Sequence, residues 1–114
     1  MKKCRLVLAF ILAVVLHGLS AVPTWAQASK ADPYYAAGNQ LYQAKNLEQA
    51  LKYYQAAVQV DPNHEPSWLG LANCQYSLGL KAESLASYEK ALALKPGDAQ
   101  LTQFVQSLKS QVGS

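Results

Sequence analysis

A 34-residue periodicity is the feature of this 114-residue chain that most restricts its fold. Six positions of one unit carry the same residue type again 34 positions later. They are Asn39 and Asn73, Tyr42 and Tyr76, Leu51 and Leu85, Tyr54 and Tyr88, Ala57 and Ala91, and Pro62 and Pro96. A period of this length is typical of arrays in which each unit buries its apolar face against the next unit.

Each unit is predicted to contain two helices, because apolar residues recur at helical spacing in both of its halves. Pro33 and Pro66 stand near the start of the first helix of each unit, where the missing N–H of proline is tolerated. Asp32 is expected to cap the first helix. The turn between the two helices is expected at Lys45-Asn46, with Asn46 in the left-handed conformation.

A fifth helix is predicted after the second unit, from about residue 98 to residue 112. Its apolar residues share one face and its polar residues share the other, which is the pattern of a helix that caps an array. The apolar face is formed by Leu101, Phe104, Val105, Leu108 and Val112.

These residues resemble the tetratricopeptide repeat pattern, W-x2-L-G-x2-Y followed by A-x3-F, A and P. The first unit matches it at Tyr34, Gly38, Leu41, Ala50, Tyr54, Ala57 and Pro62; the second matches it at Trp68, Leu71, Ala72, Ser84, Tyr88, Ala91 and Pro96. Ala37 and Gln75 depart from it. The resemblance implies an all-α fold, a short right-handed solenoid of two helix-turn-helix repeats and a capping helix. The domain would span residues 29–114, with repeats at 31–64 and 65–98 and the cap at 99–112.

The first 28 residues have the pattern of a secretory signal peptide. Basic residues at positions 2, 3 and 5 precede an apolar run over residues 6–16, and Ala26-Gln27-Ala28 forms an A-x-A cleavage site. Cleavage is expected after Ala26 or Ala28, which predicts a periplasmic or secreted protein. The alternative is an uncleaved anchor in the inner membrane, although a span needs about 20 apolar residues and this segment is shorter.

The net charge of +3 comes entirely from the leader. From residue 29 onward, seven Lys oppose seven Asp or Glu, so the domain has no net charge. A neutral domain argues against nucleic acid or anionic lipid as the partner, since both are recognised through excess positive charge. A membrane contact is expected only if the leader is retained.

The predicted binding site is the concave face, which the first helix of each repeat lines in the family that the chain resembles. Residues three or four apart share a helix face, and the resulting stripe consists of Tyr35, Asn39 and Tyr42, continued by Leu69, Asn73 and Tyr76. Asn can grip a peptide backbone, and Tyr supplies contact area. Alternatively, the two Tyr complete the helix packing and the two Asn merely face water.

No basic residue accompanies either Asn on this face, which argues against capture of a C-terminal carboxylate. The predicted partner is instead an apolar or helical segment of a protein.

Catalysis is not predicted. His64 and Cys74 are the single His and Cys after the leader, and no register brings them together. Cys74 is expected to be a small core residue. A metal could contact Asp61, His64 and Glu65 at their turn, but no second cluster of ligands accompanies them in the sequence. The sequence also has no glycine-rich phosphate loop, so neither a metal nor a cofactor is expected.

The predicted function is therefore an exported protein–protein interaction module that is not an enzyme. Two alternatives remain open: a membrane-tethered assembly factor with an uncleaved leader, and a self-associating structural subunit. Two repeats are fewer than the three that a stable array needs. The outer face of the first repeat is the candidate surface for a homodimer.

Overall fold

The computed structural model describes residues 28–113, and this part of the chain is all helical. Its helices are α1 (Asp32–Gln43), α2 (Leu47–Val60), α3 (Glu65–Ser77), α4 (Lys81–Leu94) and α5 (Ala99–Gly113). Each helix packs against the next one, and α1 also contacts α3. The molecule is thus a short solenoid of two helix-turn-helix repeats, α1–α2 and α3–α4, with α5 as the cap. The predicted signal peptide lies outside the described residues, and within residues 28–113 no helix could cross a membrane.

Two local predictions about α1 were wrong by one residue. Asp32 is the first helical residue, with Ala31 at the capping position and no side-chain cap. The Asp32 carboxylate instead accepts a bond from the N–H of Ser29 at 3.0 Å. At the other end, Lys45 (φ 62°) and not Asn46 (φ −89°) adopts the left-handed conformation. The chain turns one residue earlier than the side-chain preference of Asn suggested.

The same hydrogen bonds close the first helix of both repeats, which explains the early turn. After α1, the N–H of Lys45 donates to the carbonyl of Tyr42 and that of Asn46 donates to the carbonyl of Leu41, at 3.0 and 2.9 Å. This is a Schellman motif, which requires left-handed backbone at the residue after the C-cap, here Lys45. Gly79 (φ 81°) occupies that position after α3.

The core consists of two clusters, one at each junction between consecutive helix pairs. The first is built around Tyr54 and the second around Tyr88, which are 2% and 5% exposed. Trp68 packs against both clusters and joins them. The bulky tyrosines alternate with small residues, as close helix packing requires.

Gly38 of α1 and Gly70 of α3 make room for the ring of Tyr54. A Cβ atom at Gly38 or Gly70 would lie 2.7 or 2.5 Å from Cε1 of Tyr54. These distances are far below van der Waals contact, so both glycines are required by the close approach of the ring. Tyr54 therefore packs against the backbones of α1 and α3 together.

The capping helix buries only part of its predicted apolar face. Leu101, Val105 and Leu108 are buried, whereas Phe104 and Val112 remain 39% and 37% exposed. Phe104 lies at the rim of the second cluster, where its ring contacts buried Tyr88 and exposed Tyr76, a position that helical periodicity alone does not distinguish.

Gln75, a departure from the family pattern, is 8% exposed. The hydroxyl of Ser87 donates a 2.6 Å hydrogen bond to its side-chain oxygen. A buried polar pair therefore replaces the usual apolar contact, and the hydrogen bond offsets the cost of burying both groups.

Candidate functional site

An open groove of about 380 Å³ runs between α1 and α3, which lie side by side in the solenoid. Five of the six predicted site residues line it: Tyr35, Asn39, Tyr42, Leu69 and Asn73. The other lining residues are Tyr54, Glu65, Pro66 and Gly70. A space of this size is at the small end of ligand pockets, so it suits a short segment with one or two side chains.

Tyr76, the sixth predicted residue, does not line this groove. Its ring lies edge-on to that of Phe104, with the ring centroids 5.8 Å apart. The two repeats therefore differ, because Tyr42 lines the groove, whereas Tyr76 contacts the capping helix through Phe104 and remains 39% exposed.

The two groove asparagines are held in the same way in both repeats. The hydroxyl of Tyr54 donates a 2.6 Å hydrogen bond to Oδ1 of Asn39, and the hydroxyl of Tyr88 donates to Oδ1 of Asn73. Each bond fixes the orientation of an amide and uses one of the two acceptor positions of its oxygen. The NH₂ group of each side chain is not used in these bonds and suits a backbone carbonyl.

The pattern of a single helix face did not identify these tyrosine hydroxyls as groups of the site. The signal was present, since Asn and Tyr recur 15 residues apart in both units. Only the packing of the second helix on the first shows that the pairs meet.

Burial raises the pKa of Tyr54 and of Tyr88 to about 12. Desolvation of the phenolate is the main cause, and neighbouring ionisable side chains add to it: Tyr35, Cys74 and Tyr42 around Tyr54, and Tyr42 and Tyr76 around Tyr88. Both hydroxyls therefore remain protonated donors throughout the neutral range.

We expect two of the phenols to ionise late in an alkaline titration of the folded protein, at about pH 12 instead of 10. Because the pKa is raised on folding, the stabilisation is complete below pH 10 and is lost as the pH rises towards 12. Phenolate absorbance during a pH titration measures this, and Tyr54→Phe and Tyr88→Phe should each remove one late component. Retention of both components in these variants would contradict the assignment.

The charge of the groove is carried by Glu65, and none of its lining residues is Lys or Arg. A carboxylate ligand would therefore meet no cation there and would lie close to a carboxylate of the protein. Asp32 stands near the same end, where its Oδ1 lies 3.1 Å from Nε2 of His64.

His64 connects the two repeats beside the groove. Its Nδ1 lies 2.6 Å from the Ser67 hydroxyl, and Nε2 faces Asp32, so the three side chains form a Ser–His–Asp line. Ser67 is 0% exposed, however, and no substrate could reach its hydroxyl. This arrangement links helix α1 to helix α3 and gives no nucleophile for catalysis.

Cys74 is confirmed as a core residue. It is fully buried, its thiol donates to the carbonyl of Leu47 at 3.0 Å, and burial raises the pKa of the thiol. Both effects oppose thiolate chemistry. Residues 28–113 contain no group of three His, Cys, Asp or Glu side chains that could hold a metal.

The chain matches the family model described as tetratricopeptide repeat over residues 35–99, which is more than half of its length. It is 32% identical over 88 residues to protein O-mannosyl-transferase TMTC1 of Mus musculus. It is also 28% identical over 64 residues to superkiller protein 3 of Saccharomyces cerevisiae. These matches cover 70% and 56% of the chain but only 9% and 4% of the relatives, so the chain spans a small fraction of their length.

Solved structures show the same fold. PcrH in complex with the chaperone binding region of PopD has a TM-score of 0.64 and 29% identity, covering 72% of this chain and 62% of PcrH. PcrH in complex with the chaperone binding region of PopB has a TM-score of 0.65 and 28% identity, and the match covers 76% of this chain and 72% of PcrH. YrrB, at 24% identity and a TM-score of 0.66, covers 74% of this chain and 43% of its own.

Proposed function

This chain belongs to the tetratricopeptide repeat family, and from that premise we propose that it binds a short segment of a partner protein in the groove between α1 and α3. The observation that carries the proposal is the pair of oriented amides. Asn39 and Asn73 border one open space, and their oxygens are already engaged by Tyr54 and Tyr88. Two fixed NH₂ donors therefore face a partner without further ordering, which lowers the entropic cost of binding.

The similarity to PcrH supports a peptide ligand, because PcrH was solved with binding regions of PopB and PopD. A binding role without catalysis is further supported by the burial of Ser67 and Cys74, because no substrate could reach these two candidate nucleophiles. The match to the mannosyl-transferase concerns 9% of that protein and lends no support to its activity here.

Export remains part of the proposal and is supported by the leader pattern of residues 1–28. The mass of the protein isolated from its native cells tests it. Loss of residues 1–26 or 1–28 is expected, whereas an intact leader would favour the membrane-tethered alternative.

The groove is tested by the double substitution Asn39→Asp and Asn73→Asp. Aspartate keeps the oxygen that accepts the tyrosine hydroxyl and replaces the NH₂ donor by a negative oxygen, so the helices should stay folded while the grip on backbone carbonyls is lost. Leaving a buried carbonyl opposite a carboxylate costs about 1–3 kcal/mol for each site. We therefore expect partner capture, quantified by mass spectrometry on an affinity-purified full chain, to fall by more than about tenfold.

The matched control is Asn46→Asp with Asn63→Asp, which makes the same change of charge at two exposed positions outside the groove. This control should capture the same proteins as the unmodified chain. Equal capture by both double variants, with equal helicity by circular dichroism, would remove the groove from consideration.

Self-association is a second candidate, favoured by the exposed outer face of the first repeat. Tyr34 and Tyr53 are 39% and 40% exposed and border one shallow cavity. Of their counterparts in the second repeat, Trp68 is partly buried against the core and Ser87 is 4% exposed. Sedimentation of the full chain and of Tyr53→Ser tests this surface: a dimer that the substitution dissociates supports it, and a monomer at micromolar concentration contradicts it.

A further inference from the structure

Among residues 28–113, Ser29 is the first that is hydrogen-bonded to the rest of the domain. Its N–H donates to Oδ2 of Asp32 at 3.0 Å, and its carbonyl accepts the N–H of Asp32 at the same distance. Its hydroxyl donates to Oδ2 of Asp61 and accepts the N–H of Ala31. Ser29 is therefore tied to the start of α1 and, through Asp61, to the turn between α2 and α3.

Ala28, the residue before Ser29, is exposed and belongs to no helix. The backbone bonds that open α1 reach back to Ser29, since the N–H of Asp32 donates to the Ser29 carbonyl and the N–H of Tyr35 donates to the Ala31 carbonyl. Within the described residues, a chain that begins at Ser29 thus keeps every hydrogen bond at the start of α1. The order of the domain begins at the residue that follows the A-x-A pattern of residues 26–28.

The leader pattern leaves two cleavage positions, after Ala26 and after Ala28. We propose that a signal peptidase cleaves the bond between Ala28 and Ser29, and that the amino group released there pairs with the carboxylate of Asp32. Hydrolysis consumes one water molecule. Its oxygen joins the carbonyl carbon of Ala28, which leaves as a carboxylate with the leader, and its two protons end on the nitrogen of Ser29. This inference rests on the export proposed above and specifies where the leader ends.

Cleavage at this bond changes a neutral donor into an ammonium group at the atom that already bonds Asp32. A hydrogen bond between two charged groups is stronger than one from a neutral amide. The carboxylate is also needed at this place, because a positive charge beside the start of a helix is otherwise unfavourable. Cleavage after Ala26 would leave the nitrogen of Ser29 in a neutral peptide bond and give no such pair.

Other charged groups surround the new amino group. The carboxylate of Asp61 accepts the Ser29 hydroxyl, and this bond, with a second from the N–H of Asn63, holds the pKa of Asp61 below its usual range. His64 faces the other oxygen of Asp32, with 3.1 Å between Nε2 and Oδ1. Lys30 follows Ser29 and is exposed. The direct contact of the amino group is with Asp32, so the folded protein should bind the proton of this group more tightly than the unfolded chain does.

The mass of the product that is exported from cells making the full chain identifies the cleaved bond. We expect loss of residues 1–28. Thr24→Lys places a large residue in the Thr24-Trp25-Ala26 site alone and should leave this loss unchanged, whereas Ala28→Lys should abolish it. Loss of residues 1–26 from the unmodified chain would overturn the inference while export stands, and an intact leader would overturn both.

An NMR titration of the exported product tests the ion pair. The amino group of Ser29 should bind its proton about 1.5- to 5-fold more tightly than an ordinary α-amino group, whose pKa is about 8, as for an exposed ion pair. The stabilisation is then complete below about pH 8 and is lost as the pH rises further. Asp32→Asn keeps an accepting oxygen and should restore the ordinary affinity, whereas Asp98→Asn, the same change before α5, should have no effect. Equal titration of the unmodified protein and Asp32→Asn would overturn the pairing.

Discussion

Tyr54→Ala is expected to lower the free energy of unfolding by about 3–5 kcal/mol, the size seen when a buried aromatic side chain is removed from a core. The ring is 2% exposed and fills the space left by Gly38 and Gly70, so its removal opens a cavity between α1, α2 and α3. The hydroxyl bond to Asn39 is lost as well. Since small domains are stable by only about 5–15 kcal/mol, much of the native population could be lost.

Denaturant titration followed by circular dichroism measures this effect, and two further variants separate its causes. Tyr53→Ala, at the adjacent and 40% exposed position, should change the free energy of unfolding by less than about 0.5 kcal/mol. Tyr54→Phe keeps the ring and loses only the hydrogen bond, which predicts about 1 kcal/mol. A Tyr54→Ala variant as stable as Tyr53→Ala would contradict the packing described for the first junction.

Leu108→Ala is expected to lower the free energy of unfolding by about 2–5 kcal/mol. Leu108 is 1% exposed and belongs to the cluster that joins α5 to Tyr88 and Ala91 of α4. A cavity here weakens the attachment of the cap, and α4 would then expose its apolar face to water. In a solenoid of two repeats, each such junction contributes a large share of the total stability.

The comparison for this prediction lies on the same helix. Val112 is 37% exposed near the end of α5, and Val112→Ala should cost less than about 0.5 kcal/mol in the same denaturant titration. Similar losses at Leu108 and Val112 would mean that the capping helix is not anchored by the face described for it.

The fold was predictable from the sequence because the same pattern occurs twice. Helical periodicity places the helices, and the 34-residue spacing of Tyr54 and Tyr88 identifies the two junctions. The positions of the turns were less predictable: the Schellman hydrogen bonds put Lys45 in the left-handed conformation although Asn46 has the higher preference for it. Backbone hydrogen bonding there outweighs the preference of a single side chain.

Only those residues of the candidate site that share one helix face were predictable from the sequence. Spacing along α1 and α3 is enough to align Tyr35, Asn39, Leu69 and Asn73, which the structure brings to one groove. Spacing says nothing about a neighbouring helix, so the engagement of both asparagines by tyrosine hydroxyls was missed. It also treats the two repeats as equal, whereas Tyr76 lies outside the groove and contacts Phe104 of α5.

Position-resolved photocrosslinking shows whether a partner protein is held in the groove between α1 and α3. A photoreactive amino acid is introduced in the full chain at Leu69, which lines the groove, or at Gln55, an exposed position of α2 outside the groove. We expect a crosslink to the partner from position 69 that Asn39→Asp with Asn73→Asp abolishes, and none from position 55. Crosslinking from position 55 with none from position 69 would contradict it.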